Sequence, residues 1–132
     1  MINAIRTALA ISYGATAGAL ARYYFTEFIK NSLGKDYGFL ATFMINFTGC
    51  ILIGFLLTPN IGKVERLSPE KRLLLVTGFC GAFTTFSGYS LETTIFIEQQ
   101  NFQLAFNYWF GSIVVGILGV ILGIKLSRSQ DI

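Results

Sequence analysis

The stretch from Gly78 to Tyr89, GFCGAFTTFSGY, decides how this chain is read. It holds three glycines, three phenylalanines and four hydroxyl-bearing residues, and it lies inside a long apolar run. Glycine costs about 1 kcal/mol against alanine in a helix interior. Three glycines this close leave two readings equally open, a local break and an unbroken helix with a glycine-rich contact face. Broken backbone at membrane depth is tolerated only where protein buries it or where it lines a cavity, and freed carbonyls suit a hard cation such as sodium. Thr84, Thr85 and Ser87 would cap the second half-helix, whose N-terminal amides favour an anion.

Outward from this stretch, the chain is apolar throughout. Of its 132 residues, 53% are hydrophobic and only 13% charged, and the mean hydropathy is +0.60. That balance is too apolar for a soluble domain of this size. The charges cluster at the ends of four runs, at about residues 7–29, 39–57, 73–97 and 104–124. Each is near the roughly 20 residues that a membrane-crossing helix needs. The expectation is an all-α, multi-pass protein of the cell membrane, a single four-span domain in the lipid bilayer with no nucleic-acid partner. The first run, with Arg6 ahead of it and Ala17, Gly18 and Ala19 within it, also fits a secretory signal. Its apolar character continues past Arg22 through Tyr23, Tyr24, Phe25 and Phe28, so it is expected to be retained.

Enzymatic chemistry has little to work with. There is no histidine, which removes imidazole relays and histidine metal sites. The two cysteines, Cys50 and Cys80, form no metal or redox pattern. Only Glu27 and Glu92 fall within the runs, in different ones. The chain is not expected to be an enzyme.

Polar groups inside the runs carry more information, because each must face a partner or a water-filled path. They are Arg22 in the first, Thr42 and Asn46 in the second, Thr84, Thr85, Ser87, Ser90 and Glu92 in the third, and Tyr108 and Ser112 in the fourth. Asn46 admits either an interhelical hydrogen bond or a place in a pore. Arg22 and Glu92 admit either a structural ion pair or an interfacial position. Small residues spaced for close helix contact recur at Gly14 and Gly18, at Gly119 and Gly123, and in the row Tyr108, Ser112, Gly116. With both termini cytoplasmic, that side carries seven lysines and arginines against two opposite, or three with Arg22. The count favours this orientation.

GFCGAFTTFSGYSLE, with GALARY in the first run, FMINFTG in the second and NYWFGS in the fourth, resembles the Fluc (CrcB) fluoride channels over all four spans. The resemblance implies antiparallel dimers of four-span subunits with a broken third helix, two narrow fluoride pores and a central structural sodium ion. It implies a fluoride-selective channel that lets fluoride leave the cytoplasm passively, with the partner subunit either an identical chain or an oppositely oriented homologue. Carried onto this chain, the carbonyls of Gly81 and Thr84 would hold the sodium. Asn46, Phe86, Tyr89, Thr85, Ser87, Tyr108 and Ser112 would line the fluoride path, and Arg22, Thr42 and Glu92 would be vestibule or structural polar groups. The chain departs from the family pattern at Ala82, Gly88, Tyr89 and Gly116. Tyr89 adds a hydroxyl where phenylalanine is usual, open to donating to fluoride, binding water or blocking the site. A proton-coupled exporter of cationic compounds, with Glu92 alternating between proton and substrate, is the alternative from a different class.

Overall fold

The computed structural model describes residues 3–58 and 67–129, and every regular element among them is helical. Helix α1 (Ala4–Leu33) starts where the Asn3 side chain accepts a hydrogen bond from the Ile5 amide. It stops at Gly34, whose φ of 112° only glycine adopts comfortably. A single 3-10 turn (Lys35–Tyr37) leads into α2 (Gly38–Leu57). Past the second loop, the short α3 (Pro69–Arg72) is capped by Ser68, which accepts from the Lys71 amide, and has proline in its first turn. It widens into a π-helical run (Leu73–Cys80) and ends with α4 (Gly81–Phe83). Thr84 and Thr85 are extended, and α5 (Phe86–Glu98) begins directly after them. A turn with Gln100 at φ 58° connects to α6 (Phe102–Ser129).

Three stretches, Lys35–Leu57, Pro69–Glu98 and Phe102–Ser129, are long and apolar enough to cross a membrane. Helix α1 is not among them. Its 30 residues reach about 45 Å at the usual rise per residue, but Ser12, Thr16, Arg22, Thr26, Glu27, Lys30, Asn31 and Ser32 dilute its hydropathy. Leu9, Leu20, Phe28, Phe86, Leu91, Phe102, Phe110, Ile117 and Leu118 are all exposed. This is the outward-facing apolar surface of a multi-pass membrane protein rather than of a soluble bundle. Lys63 and Arg66, two of the cations counted towards the cytoplasmic side, lie outside the described residues.

The helices pack as two close pairs, and glycine sets the distance in each. Helix α1 lies against Leu73–Cys80. A Cβ at Gly14 would fall 2.0 Å from the Leu74 carbonyl oxygen, and one at Gly18 would fall 2.3 Å from that of Phe79. Helix α2 lies against α6 in the same way, with Gly123 against the Ile51 carbonyl at 2.1 Å and Gly54 against that of Val120 at 2.3 Å. Without a hydrophobic force between helices in lipid, such backbone proximity and its dispersion contacts carry the association. The two glycine rows read from the sequence are thus seams between helices of this chain. An aromatic cluster of Tyr89, Phe96 and Tyr108, with Phe39 and Phe43 against it, joins α5 to α2 and α6. Ile29, Ala41 and Ile45, with Phe25 and Phe83, join α1 and α2 to the end of α4.

Candidate functional site

The interruption at Thr84–Thr85 organises the polar groups of the chain. In a continuous helix the Thr85 amide would close on the Gly81 carbonyl. Here it donates instead to Asn46 Oδ1 at 2.8 Å, and Asn46 Nδ2 donates to the Thr85 carbonyl at 3.0 Å. One α2 side chain therefore satisfies both backbone groups of the same extended residue. The Gly88 amide, which would close on the Thr84 carbonyl, donates to Thr85 Oγ1 at 3.0 Å as an N-cap of α5. The carbonyls of Gly81 and Thr84 thus lose the amide donors that a continuous helix would give them. Thr84 turns its own amide and hydroxyl back onto the Cys80 carbonyl, at 3.1 and 2.9 Å.

Gly49 on α2 makes room for the crossing, since a Cβ there would sit 2.1 Å from Thr84 Cγ2. At Gly88 a Cβ would come within 3.0 Å of Thr85 Cγ2, so the glycine leaves the capping threonine its space.

Two openings meet at this point. The first is a cavity of about 300 Å³ whose lining includes Asn46, Cys50, Thr84, Thr85, Phe86, Tyr89, Ser112 and Gly116. Ser112 Oγ is buried there with no hydrogen-bond partner. The second is a groove of about 490 Å³ lined by Arg22, Thr26, Glu27, Lys30, Thr85, Ser87 and Leu91 among others. Thr85 borders both. Ser87 belongs to the groove and not the cavity, and its hydroxyl lies 3.2 Å from that of Thr85. Phe86 is 80% exposed, and its ring borders the cavity with its centroid 5.6 Å from that of Tyr89. Tyr89 is buried and donates its hydroxyl to the Trp109 carbonyl on α6 at 3.0 Å.

Tyr108 does not line the cavity. It donates to Glu92 Oε2 at 2.5 Å, while Thr42 donates to Glu92 Oε1 at 2.8 Å. The Tyr108 ring is held edge-on between Phe39 and Phe96, at interplanar angles of 89° and 87°. Glu92 is thus held by two hydroxyls rather than by Arg22, and the ion pair among the described residues is Glu27 with Lys30 at 3.6 Å. The sequence located most of this set. It did not single out Gly49 as the residue that admits Thr84, nor Trp109 as the acceptor for Tyr89. Gly49 one turn beyond Asn46 was the available signal for the first; a backbone acceptor leaves no signal in side-chain identity.

Fold and site together define a multi-pass membrane protein in which a helix interruption, latched by one asparagine, lies between two openings. Residues 9–124 match the family described as CrcB-like protein, Camphor Resistance (CrcB), and the chain belongs to that family. It is 42% identical over 132 residues to a protein of Synechocystis, covering all of both chains. It is 41% identical over 124 residues to one of Trichormus variabilis, covering 94% of this chain and 90% of that one. It is 42% identical to one of Oceanobacillus iheyensis, covering 97% and 99%. All three relatives are named fluoride-specific ion channel FluC.

Proposed function

We propose that the chain is the subunit of a fluoride-selective channel through which fluoride leaves the cytoplasm passively. The working assembly is two four-span subunits in opposite orientation, the second either identical or a homologue. The observation that carries the reading is the paired hydrogen bond between Asn46 and Thr85, which holds an interruption open beside a cavity. It occurs in a chain 41–42% identical to proteins named fluoride channels.

Fluoride is small and strongly hydrated, so a selective path must replace its water with well-placed donors while staying narrow. Asn46 has a second amide hydrogen beyond the one given to Thr85. The unpartnered Ser112 hydroxyl and the Thr85 hydroxyl are further donors, and the ring edges of Phe86 and Tyr89 present positive potential. The path runs from the groove at Arg22, where a cation concentrates anions, across Thr85 and Ser87 into the cavity. Thr42, Glu92 and Tyr108 form a second polar cluster off the cavity.

Sodium fits the carbonyls of Gly81 and Thr84, two oxygens from each subunit, because their usual amide donors are engaged elsewhere. Binding to the folded state alone raises stability by mass action. The unfolding temperature of the detergent-solubilised protein should therefore rise with sodium at constant ionic strength. Equal midpoints in sodium and in a bulky organic cation would refute the ion. The exporter reading has less support, since both oxygens of Glu92 accept hydrogen bonds from neighbouring hydroxyls.

The test is fluoride efflux from liposomes containing the purified chain, read with a fluoride electrode under a clamped potential and with proton movement recorded in parallel. Efflux without coupled proton movement is expected. A flux that needs a proton gradient, or none from the chain alone and none with a homologue added, overturns the reading.

A further inference from the structure

Tyr89 stands where the family pattern has phenylalanine, and its surroundings determine what the extra hydroxyl does. The ring is buried among Phe86 and Tyr108, each with its centroid 5.6 Å away, and it forms part of the cavity lining with Asn46 and Ser112. The hydroxyl donates to the Trp109 carbonyl at 3.0 Å. That carbonyl belongs to α6, one turn before Ser112, while Tyr89 belongs to the first turn of α5. The bond therefore ties the start of α5, immediately after the interruption, to the helix that carries Ser112.

A phenol has one hydrogen to donate. With that hydrogen on a backbone carbonyl, the hydroxyl is no donor to an anion in the cavity. A freely pointing phenol would have added a further donor beside Asn46, Thr85 and Ser112.

We propose that Tyr89 is a positioning residue: its hydroxyl anchors the ring to α6, so that the cavity meets a tethered aromatic edge and not a phenolic donor. The assignment rests on the channel reading for its effect on selectivity, and on geometry alone for the tether. The tether links α5 to α6 beside the cavity and leaves the ring edge, the feature shared with the phenylalanine of the family pattern, facing it.

Three measurements on the full-length protein test this. In ultraviolet resonance Raman spectra, the Tyr89 doublet, obtained as wild type minus Tyr89→Phe, should report a hydroxyl that donates strongly, and it should not change on adding fluoride. A fluoride-dependent change makes the hydroxyl an ion ligand and overturns the proposal. Tyr89→Phe keeps the ring that the family pattern has here and loses only the tether, so it should lower the unfolding midpoint by about 2–6 °C, the scale of one neutral hydrogen bond, and leave the fluoride-to-chloride flux ratio in liposomes unchanged. Tyr89→Leu, which loses the ring as well, should lower that flux ratio. An unchanged midpoint in Tyr89→Phe, or an unchanged ratio in Tyr89→Leu, overturns the proposal. Should the wild type pass no fluoride, the channel reading falls, and the doublet still decides the tether.

Discussion

Replacing Asn46 with alanine tests the centre of the site. Asn46 makes two hydrogen bonds to one residue, donating to the Thr85 carbonyl and accepting from the Thr85 amide. A neutral hydrogen bond contributes about 1 kcal/mol net, so the pair contributes about 2 kcal/mol. Part of this is recoverable. With Oδ1 gone, the Thr85 amide is free to close on the Gly81 carbonyl, and the interruption tends to heal towards continuous helix. Asn46→Ala should therefore lower stability by about 1–2 kcal/mol, less than two orphaned backbone groups would cost. It should also remove the sodium dependence of the unfolding temperature, because the Gly81 oxygen regains a donor. Fluoride flux should fall by about a hundredfold or more, the scale set by losing a preorganised donor. The assays are detergent-phase thermal unfolding with and without sodium, and liposome efflux from the same preparation. Wild-type efflux with a retained sodium effect would show that Asn46 neither holds the interruption nor faces the ion.

Phe86→Ile should abolish most fluoride flux while leaving the unfolding midpoint nearly unchanged, because the ring is 80% exposed on its own subunit; a large loss of stability would instead make it a packing residue. Tyr108→Phe and Thr42→Val each remove one donor to Glu92, and each should cost about 1 kcal/mol by thermal unfolding, with the double variant less than additive if the two hydroxyls act through the one carboxylate. Gly123→Leu should prevent recovery of folded protein on size-exclusion chromatography, since even a Cβ would meet the Ile51 carbonyl at 2.1 Å, whereas Gly111→Ala, with nothing within 4 Å, should be tolerated. Tags at the two termini separate the two dimer readings: labelling from both sides together with efflux from the chain alone fits an identical second subunit, whereas one sidedness with no efflux until a homologue is added fits an oppositely oriented homologue.

The helical, membrane-spanning character was legible in the sequence because hydropathy and charge placement follow directly from the cost of polar groups in lipid. The glycine rows were legible as contact faces, but not which helices they join. That depends on which carbonyl lies opposite each glycine, and Leu74, Phe79, Ile51 and Val120 contribute there through backbone alone. At the site, the polar residues were visible as types, while their pairings were not. Charge alone would pair Glu92 with Arg22, yet it meets Thr42 and Tyr108 because Phe39 and Phe96 hold the Tyr108 ring beside it. Asn46 was read as lining a pore or bonding another helix, and the two readings turn out to be compatible: its oxygen and one amide hydrogen engage Thr85, and one hydrogen remains.

The interruption also bears on why one subunit would be insufficient. Two extended residues inside a membrane helix release several backbone groups, each costly in hydrocarbon. Within the subunit, Asn46 takes the amide and carbonyl of Thr85, Thr85 Oγ1 takes the amide of Gly88, and Thr84 bonds back to Cys80. The carbonyls of Gly81 and Thr84 lose the amide donors of a continuous helix, and Gly81 is exposed. So is the ring of Phe86. Lipid offers a carbonyl no donor, whereas a second copy covering this face would bring two more such carbonyls towards the same point and a ring for the neighbouring cavity. On the dimer reading, the same interruption that opens the fluoride path creates the oxygens that hold the central cation. Weakening one should therefore weaken the other, which is why the Asn46 variant is measured for sodium dependence and for flux together.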